Sequence, residues 1–486
     1  MKATIKILCF ISVLALMFTC FAGCGKDESS SVFNSIKKDD PVDPIFIEED
    51  YAEYDLADVT LLVASGHESI LFPDEDMDEL SARRKQWIEN DKSKYKFELE
   101  HVYYKSDKIA DTLLPELISG KYVADMVLPV VSKTGRFVQA GVCYDFLSEE
   151  FVKYLDFTKP WWDDTMFNPS TINGKVYCCV PQFTSAANNT WVCFFNRTLM
   201  EELEVDPDSL YYMQEKGTWT WNKFMELGKK AVKDIDGNGV MNAKDRYAFS
   251  SEKWSTFNNL ITAAGIDFAY ETDGVLKCDL FNAKNNKILL SLNKMFTGYG
   301  MYFDTEKSKK SLYDMFANDQ LLFAFAPVSA CSNDTITNMK SDFGMVLTPK
   351  YTEDQDYISR ADQNSVCCFI PVTANYKLET AFVIQALSYS AWTKGIPDIM
   401  ELNYAQYVHD AGSEYCIYEV FNHTIFTIDQ LLLEVGTEKT LADIIYSDVM
   451  MPIVTQANVD ISDIQSAAAQ CQTLLDDFYG QATGQQ

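Results

Sequence analysis

The sequence predicts an α/β fold in a protein that is exported from the cell. Apolar runs of strand length alternate with stretches of helical spacing, and the 486 residues suffice for two lobes with separate cores. The chain also begins with two lysines followed by an apolar run, Ile7–Phe18. This pattern is typical of a secretory signal peptide, because the run is too short to span a membrane as a helix.

The end of the signal peptide indicates a lipid anchor. Phe21-Ala22-Gly23-Cys24 resembles the lipobox of bacterial lipoproteins, although Phe21 stands where an aliphatic residue is usual. We expect a signal peptide over residues 1–23 and acylation of Cys24. Cleavage by an ordinary signal peptidase after a small residue is the alternative. Residues 24–57 are polar, acidic and interrupted by prolines, so they predict a flexible tether.

Composition excludes some partners. The formal net charge of −30 repels phosphate backbones and anionic lipid surfaces, so we expect no nucleic-acid partner and no electrostatic membrane binding. Aromatic residues make up 13% of the chain, so some rings could line a ligand site. The 13 cysteines contain no C-x-x-C motif, and most of those after Cys24 are expected to be small buried hydrophobes.

The first elements follow one another as strand, helix, strand, helix, strand, which predicts a parallel sheet covered by helices. In chain order they are a strand at 59–64, a helix at 77–89, a strand in "KFELEHVYY", a helix at 108–118 and a strand in "ADMVLPV". Later strands are predicted in "GKVYCCVP", "WVCFFN", "LLFAFAP" and "DFGMVLTP". Later helices are predicted at 221–232, with Thr220 as N-cap, and at 378–392, where the pattern is amphipathic.

The order of several motifs carries a family resemblance. "LDFTKPWW", "TINGKVYCCVP", "VCFFNRTLMEELEV", "GTWTWNKFMELGKKAV" and "MFANDQLLFAFAP" follow one another, with "DFGMVLTPKYTEDQDYISR" after them. From about Val59 to the C-terminus the chain resembles the extracellular solute-binding proteins of ABC importers. The type is that of maltose-binding protein, in the lipoprotein branch found in Gram-positive bacteria. Each motif is weak by itself, and their order together with a lipobox is specific.

This resemblance implies a type II periplasmic-binding-protein-like fold with two lobes, each a mixed sheet flanked by helices. The chain would cross between the lobes three times, near 183–189, 347–350 and 396–402. Lobe 1 would comprise 58–185 plus 350–398, and lobe 2 would comprise 190–347 plus 402–486. A solute would bind in the cleft between the lobes and pass to a membrane permease. The receptor would act as a monomer, lipid-anchored at the extracellular face of the cytoplasmic membrane.

A sugar or oligosaccharide is the expected solute, since its recognition needs flat apolar surfaces and a few polar groups. The resemblance implies that candidate ligand-binding residues lie at the cleft: Trp254, Asn188, Asn189, Trp191, Trp161 and Trp162. Packing at a lobe surface is the alternative for Trp161 and Trp162. Packing or capping is favoured for Trp219 and Trp221. Val328 follows Pro327 where many members carry a stacking tryptophan, which leaves the class of ligand open.

The segment "DIDGNGVMNAKD", residues 234–245, has the pattern of a twelve-residue calcium loop. The expected ligands are Asp234, Asp236, Asn238, the carbonyl of Val240, Asn242 and Asp245, with Gly239 at the sharp turn. Aspartate replaces the usual glutamate at the last position. Because a sensor or a docking module would need a second loop, we expect one structural calcium ion. An acidic turn without metal is the alternative.

Two other functions remain as alternatives. A secreted, lipid-anchored glycoside hydrolase would need two carboxylates at one sugar bond, a pattern that 71 acidic residues make uninformative. With four histidines and no G-x-S-x-G motif, Ser–His hydrolysis is not indicated, and we expect no enzymatic activity. A calcium-dependent surface docking protein is the second alternative.

Overall fold

Two separate β-sheets form the framework of the chain in a computed structural model, which describes residues 54–162, 171–404, 407–408 and 410–484. The predicted signal peptide, Cys24 and most of the predicted tether lie outside these residues. The strands are β1 Val59–Ser65, β2 Phe97–Tyr103, β3 Met126–Leu128, β4 Thr171–Ile172, β5 Lys175–Val176, β6 Trp191–Asn196, β7 Tyr247–Ser251, β8 Tyr270–Thr272, β9 Val275–Lys277, β10 Tyr302–Phe303, β11 Leu321–Pro327, β12 Phe343–Val346, β13 Ser359–Arg360 and β14 Thr424–Ile425.

Helices cover both sheets and make up most of the C-terminal third of the chain. They are α1 Glu79–Tyr95, α2 Ile109–Ile118, α3 Val131–Gln139, α4 Arg197–Glu202, α5 Ser209–Glu215, α6 Trp221–Ala231, α7 Lys253–Ala263, α8 Ala283–Thr297, α9 Thr305–Ser308, α10 Leu312–Ala317, α11 Asp334–Thr337, α12 Lys377–Ser390, α13 Ile396–Ile399, α14 Ala411–His423, α15 Ile428–Leu432, α16 Leu441–Ile444, α17 Met451–Thr455 and α18 Ile461–Thr483. Three π-helical segments, Ala391–Gly395, Met400–Tyr404 and Ile445–Met450, join consecutive helices. Over the part of the chain described, no helix has the length and apolarity to cross a membrane.

The first sheet has the order β2-β1-β3 and is parallel throughout. Helices α1 and α2 make the crossovers, as the alternation of strands and helices predicted. Helix α1 begins at Asp78, whose carboxylate accepts a hydrogen bond from the amide of Ser81 at 2.7 Å. All three strands of this sheet therefore end at one edge, and the loops that follow them share that edge.

The second sheet is mixed, with the order β10-β7-β11-β6-β12. Strands β10, β7 and β11 are parallel, whereas β6 runs antiparallel to its neighbours β11 and β12. Every residue of β6 is buried, which is why this strand is a continuous apolar run and does not alternate. Four aromatic rings from α6, β7 and β11 pack together, those of Phe224, Phe249, Phe323 and Phe325. Part of the high aromatic content therefore belongs to the core.

Several sequence predictions about elements need correction. Helix α12 is not amphipathic, because most of its residues are buried on all sides, and its α-helical part ends at Ser390. Thr220 precedes α6 as predicted, but its side chain makes no capping hydrogen bond. The strand predicted in "GKVYCCVP" is confined to β5, because the chain beyond it makes only isolated bridges. All ten cysteines in the described part of the chain are free thiols, and every one except Cys278 is buried, which confirms their prediction as small core residues.

Candidate functional site

The carboxyl edges of the two sheets meet at a short stretch of chain, residues 360–366, which we call the junction segment. On the side of the second sheet, Ala361 forms a β-bridge with Thr190, the residue before β6. On the side of the first sheet, Val366 forms a bridge with Val130, and the carbonyl of Ser365 accepts from the first amide of α3 at 2.9 Å. In α/β proteins ligands bind outside the carboxyl ends of parallel strands. The junction segment therefore marks the candidate binding region.

Asp362 is the polar centre of the junction segment. Its Oδ2 accepts hydrogen bonds from Nε1 of Trp191 at 3.2 Å and from Oγ of Ser255 at 3.1 Å. Its backbone amide donates to the carbonyl of Asn189 at 3.0 Å, and its Oδ1 accepts from the amide of Asn364 at 2.8 Å. Asp362 makes none of the ion pairs found among the described residues. The carboxylate is thus held by neutral donors and is in direct contact with no cationic side chain of the described residues.

Trp254 lies one residue before Ser255, in the first turn of α7. The side chain of Glu252 caps this helix by accepting from the amides of Trp254 and Ser255 at 3.1 and 2.7 Å. The indole of Trp254 is half-buried, and its centroid lies 6.1 Å from the ring of Tyr446. Tyr446 is 46% exposed and belongs to a π-helical segment, a feature often found at functional sites. The two rings form a partly open aromatic pair, and Trp254 is the chain neighbour of Ser255, whose hydroxyl contacts Asp362.

Asn188 and Asn189 occupy a 3₁₀ turn just before β6, where a crossing was predicted. Oδ1 of Asn188 accepts a hydrogen bond from the hydroxyl of Tyr404, which is almost fully buried. Asn189 is exposed and contacts Asp362 through its carbonyl. Ser185, at the start of this turn, has a φ of +53°, a left-handed conformation that is strained for a residue with a Cβ. Its hydroxyl accepts from the guanidinium of Arg84 at 2.9 Å.

The edge of the first sheet carries a tight turn after β1. A Cβ at Gly66 would lie 2.2 Å from Oγ of Ser106 and 2.6 Å from the carbonyl of Tyr104, so only glycine fits. This close approach lets Nε2 of His67 reach Oγ of Ser106 at 2.9 Å. Burial lowers the pKa of His67, which keeps the ring neutral at neutral pH.

The structure places Trp161 and Trp162 in packing positions. Trp161 is fully buried, with ring centroids 5.0 Å from Tyr389 and 6.2 Å from Trp392. Nε1 of Trp162 donates a hydrogen bond at 2.7 Å to Oε1 of Gln385, a residue of helix α12. Both rings therefore pack inside the protein, which was the alternative to ligand binding. The candidate site does not include them.

Trp219 and Trp221 are also core residues, as the favoured interpretation had it. Trp219 is fully buried and donates from Nε1 to the carbonyl of Leu347 at 2.9 Å. The ring of Trp221 packs edge-on against Tyr351, with centroids 5.1 Å apart. Val328 is fully buried, and its amide donates to the carbonyl of Thr190 at 2.8 Å, so this position offers no surface to a ligand.

The predicted calcium loop closes on itself between α6 and β7. A bridge between Lys233 and Arg246 joins its two ends. Carboxylate oxygens of Asp234, Asp236 and Asp245 lie within 4.8 Å of one another, so three of the predicted ligands do converge. The glycines at 237 and 239 have φ values of +69° and +81°, which the tight turns need.

Internal hydrogen bonds hold this loop in a conformation in which its carboxylates converge. Asp234 accepts from the amides of Gly237 and Gly239 at 2.8 and 2.7 Å, and these bonds lower its pKa. Asp245 is fully buried and accepts from the amides of Ile235 and Asn242 at 2.9 and 2.8 Å. Oxygen donors with several carboxylates suit a hard divalent cation such as calcium. The donor set therefore fits the ion that the sequence predicted.

Sequence reasoning missed Asp362 and Tyr446. Neither belongs to a recognisable motif. Folding alone brings Asp362 to Trp191 and Tyr446 to Trp254. The run "YISRADQNS" gave a weak signal for Asp362, since it places a polar turn between two apolar stretches.

Comparison with known proteins agrees with this architecture. Residues 86–388, more than half of the chain, match the family model described as bacterial extracellular solute-binding protein. No curated protein matches the chain significantly.

Solved structures are similar over nearly their whole length. A solute-binding protein of an ABC transporter from Thermotoga lettingae, bound with alpha-D-tagatose, is 16% identical at a TM-score of 0.54, covering 86% of this chain and 99% of that chain. An ABC substrate-binding protein from Listeria monocytogenes in complex with cycloalternan is 13% identical at 0.54, covering 85% and 98%. UgpB from Mycobacterium tuberculosis in complex with glycerophosphocholine is 16% identical at 0.58, again covering 85% and 98%. At these identities the likeness establishes the two-lobed fold, and the match to the family model establishes the family: the chain belongs to the bacterial extracellular solute-binding proteins.

Proposed function

We propose that this protein is the receptor of an ABC importer and captures a small neutral carbohydrate at the junction segment. The observation that carries the proposal is the partly open aromatic pair Trp254–Tyr446, which adjoins Ser255, the residue whose hydroxyl contacts the carboxylate of Asp362. Aromatic faces pack against the C–H faces of sugars, and a carboxylate accepts hydrogen bonds from their hydroxyls. Family membership makes the chain a binding protein and not an enzyme, so the glycoside hydrolase alternative is set aside.

Charge favours a neutral ligand over an anionic one. Asp362 makes no ion pair with the described cationic residues, and the formal net charge of the chain is −30. An anionic ligand at Asp362 would meet uncompensated repulsion. The similar structures bind tagatose, cycloalternan and glycerophosphocholine, so the fold accepts more than one class of ligand.

We propose the two lobes as predicted, with the second crossing moved from 347–350 to the junction segment. The amide of Trp221 donates to the carbonyl of Lys350 at 2.9 Å, and the amide of Trp219 donates to the hydroxyl of Tyr357 at 3.1 Å. Residues 350–357 thus pack beside the second sheet. Contact with the first lobe begins at Gln363, whose carbonyl accepts from the amide of Ser132 in α3 at 3.1 Å, and continues with the bridge between Val366 and Val130. The third crossing remains near 396–402, since α13 contacts α1 of the first lobe, and the following π-helical segment contacts residues 328–332 of the second.

We also propose that Cys24 carries a lipid and that residues 24–57 tether a monomeric body at the outer face of the cytoplasmic membrane of a Gram-positive bacterium. The tether would keep the receptor at high effective concentration near its permease. The calcium loop would hold one structural ion through Asp234, Asp236, Asn238, Val240, Asn242 and Asp245. Its position at the entry to β7 supports a bracing role, because β7 leads directly into Glu252 and Trp254.

A panel of sugars, polyols, phosphodiesters and peptides in a thermal-shift screen tests the proposed function. Hits should be measured by calorimetry with the wild type, Trp254→Ala and Tyr212→Ala. Tyr212 is a matched control because its ring is 62% exposed on α5 and belongs to no candidate site. We expect a carbohydrate to bind the wild type and the control with similar affinity and to bind and stabilise Trp254→Ala more weakly. Stabilisation only by phosphodiesters or peptides would overturn the proposed ligand class.

A further inference from the structure

Two cysteines meet where the C-terminal helix α18 packs on the turn after β9. Cys278 follows β9, against which α18 packs with Cys471 on it, and each of the two thiols shifts the pKa of the other. Gln472, the residue after Cys471, holds the backbones together on both sides of the pair. Its Oε1 accepts from the amide of Cys278 at 2.9 Å, and its Nε2 donates to the carbonyl of Leu276 at 3.0 Å. The approach of the two thiols is therefore supported by the backbone of β9.

The two thiols differ in environment. Cys471 is fully buried, whereas Cys278 is partly exposed, alone among the cysteines of the described residues. The hydrogen bond from the thiol of Cys471 lowers the pKa of Cys278, and the same bond together with burial raises that of Cys471. A partly exposed sulfur beside a buried second thiol is the arrangement of an attacking and a resolving cysteine.

We infer that Cys278 and Cys471 are a disulfide-forming pair in the exported protein, with Cys278 as the sulfur that reacts first. The oxidant is an external disulfide, either a small molecule or a protein. The Cys278 thiolate attacks it, forms a mixed disulfide and releases one thiolate. Cys471 then loses its proton, attacks the Cys278 sulfur and releases the second thiolate. Two thiols are oxidised by two electrons, one external disulfide is reduced, and two protons leave to solvent.

A second pair, Cys178 and Cys367, shows why exposure matters. Their thiols also contact each other, and Cys367 contacts Oγ1 of Thr134 at 2.9 Å. Both cysteines are almost completely buried, so an external disulfide has no path to them in the folded protein. Export from the cell places the whole chain in a compartment where disulfides persist. Among the described residues, the Cys278–Cys471 pair is the one that an external disulfide can reach after folding.

The bond would fix α18 to the β8–β9 hairpin. Helix α18 also packs against the π-helical segment that carries Tyr446. The disulfide would thereby stabilise the segment that carries Tyr446, one of the two rings of the aromatic pair. This inference does not depend on which solute the protein binds.

The test uses the full-length exported protein, reduced, freed of reductant and kept folded. Dithiobis(nitrobenzoate) should release two thiolates from the wild type beyond the amount released from Cys278→Ser, with no adduct retained. Cys471→Ser should release one and retain the adduct, because the resolving thiol is gone. Cys331→Ser, which removes a buried thiol elsewhere, should behave as wild type. Circular dichroism confirms that each variant is folded.

Peptide mapping without reduction provides a second measurement. We expect a cross-linked peptide containing Cys278 and Cys471 in the exported protein. Alkylation of both as free thiols, even after incubation with oxidised glutathione, would overturn the inference. Release of a single thiolate with a retained adduct in the wild type would overturn it as well.

Discussion

Removal of the calcium loop's carboxylates should abolish a calcium-dependent part of stability. The double substitution Asp234→Ala with Asp236→Ala deletes two of the three converging carboxylates and leaves Asp245 buried. With calcium bound, the folded form gains free energy by mass action. Without these two ligands the ion should no longer bind, so the stability of the variant should not respond to calcium. Because the loop lies outside the junction, solute affinity should change little.

The size of the effect follows from mass action and the size of the folding unit. Calcium at one hundred times its dissociation constant stabilises the folded form by about 2.7 kcal/mol. With a melting entropy of about 2.1 cal/mol/K per residue, the predicted second lobe of roughly 240 residues should gain about 5 °C in Tm if it melts by itself. A body of roughly 430 residues that melts as one unit should gain about 3 °C.

Differential scanning calorimetry in chelator and in calcium up to about 10 mM measures this shift, since extracellular sites often bind calcium with dissociation constants of about 0.1–1 mM. The variant Glu149→Ala with Asp477→Ala removes the same charge from exposed positions and should keep the shift. A wild-type Tm that is equal in chelator and calcium would refute the reasoning. Complete loss of solute binding in the folded loop variant would refute the bracing role.

Three further outcomes are expected. Trp254→Ala and Tyr446→Ala should each weaken binding of the identified solute about tenfold to a hundredfold in calorimetry, because each removes one stacking face. Asp362→Asn should weaken binding of a neutral sugar, since it removes the charge that strengthens hydrogen bonds from hydroxyls. Asp91→Asn should raise the free energy of unfolding at pH 7.5 by up to about 3 kcal/mol, because burial raises the pKa of Asp91 from 3.8 to about 6 in the folded chain. Urea denaturation between pH 4 and 8 measures this gain.

Each of these outcomes can fail in a specific way. Unchanged affinity of both ring variants for the solute would show that the ligand does not contact the aromatic pair. Tighter binding of an anionic ligand to Asp362→Asn than to the wild type would contradict the proposal that the ligand is a neutral carbohydrate. For Asp91 the sign follows from a raised folded pKa: the cost of ionisation is absent below the unfolded pKa and is complete above the folded pKa. A stabilisation by Asp91→Asn that is equal at pH 4 and pH 7.5 would therefore contradict the assignment.

Local patterns in the chain predicted much of the framework. The alternation of strands and helices gave the parallel first sheet, and the apolar runs gave β6 and β11 nearly residue by residue. Burial on all faces was harder to predict: α12 had helical spacing, but its polar positions are buried by neighbouring elements. Spacing reports the period of an element and not how many neighbours cover it.

The binding region was predictable in part. Of the residues predicted to bind the ligand, Trp191 and Asn189 contact Asp362 in the junction segment, and Trp254 adjoins Ser255, which also contacts it. Asp362 could not be assigned, because one carboxylate among 71 acidic residues carries no local signal. Its importance comes from two donors, Trp191 and Ser255, that are far from it in the chain.

The sequence by itself indicated the class of protein through the order of its motifs, and it predicted the export signal and the calcium loop, because each of these two patterns depends on residues that are close together in the chain. Only the tertiary structure decided which aromatic rings remain partly open. Trp161 and Trp254 have the same side chain, yet one is enclosed by Tyr389 and Trp392 and the other faces the half-exposed Tyr446. The pairing of Cys278 with Cys471 is likewise a product of folding. Exposure and long-range contact depend on what the rest of the chain places beside a residue, and short-range patterns do not encode that.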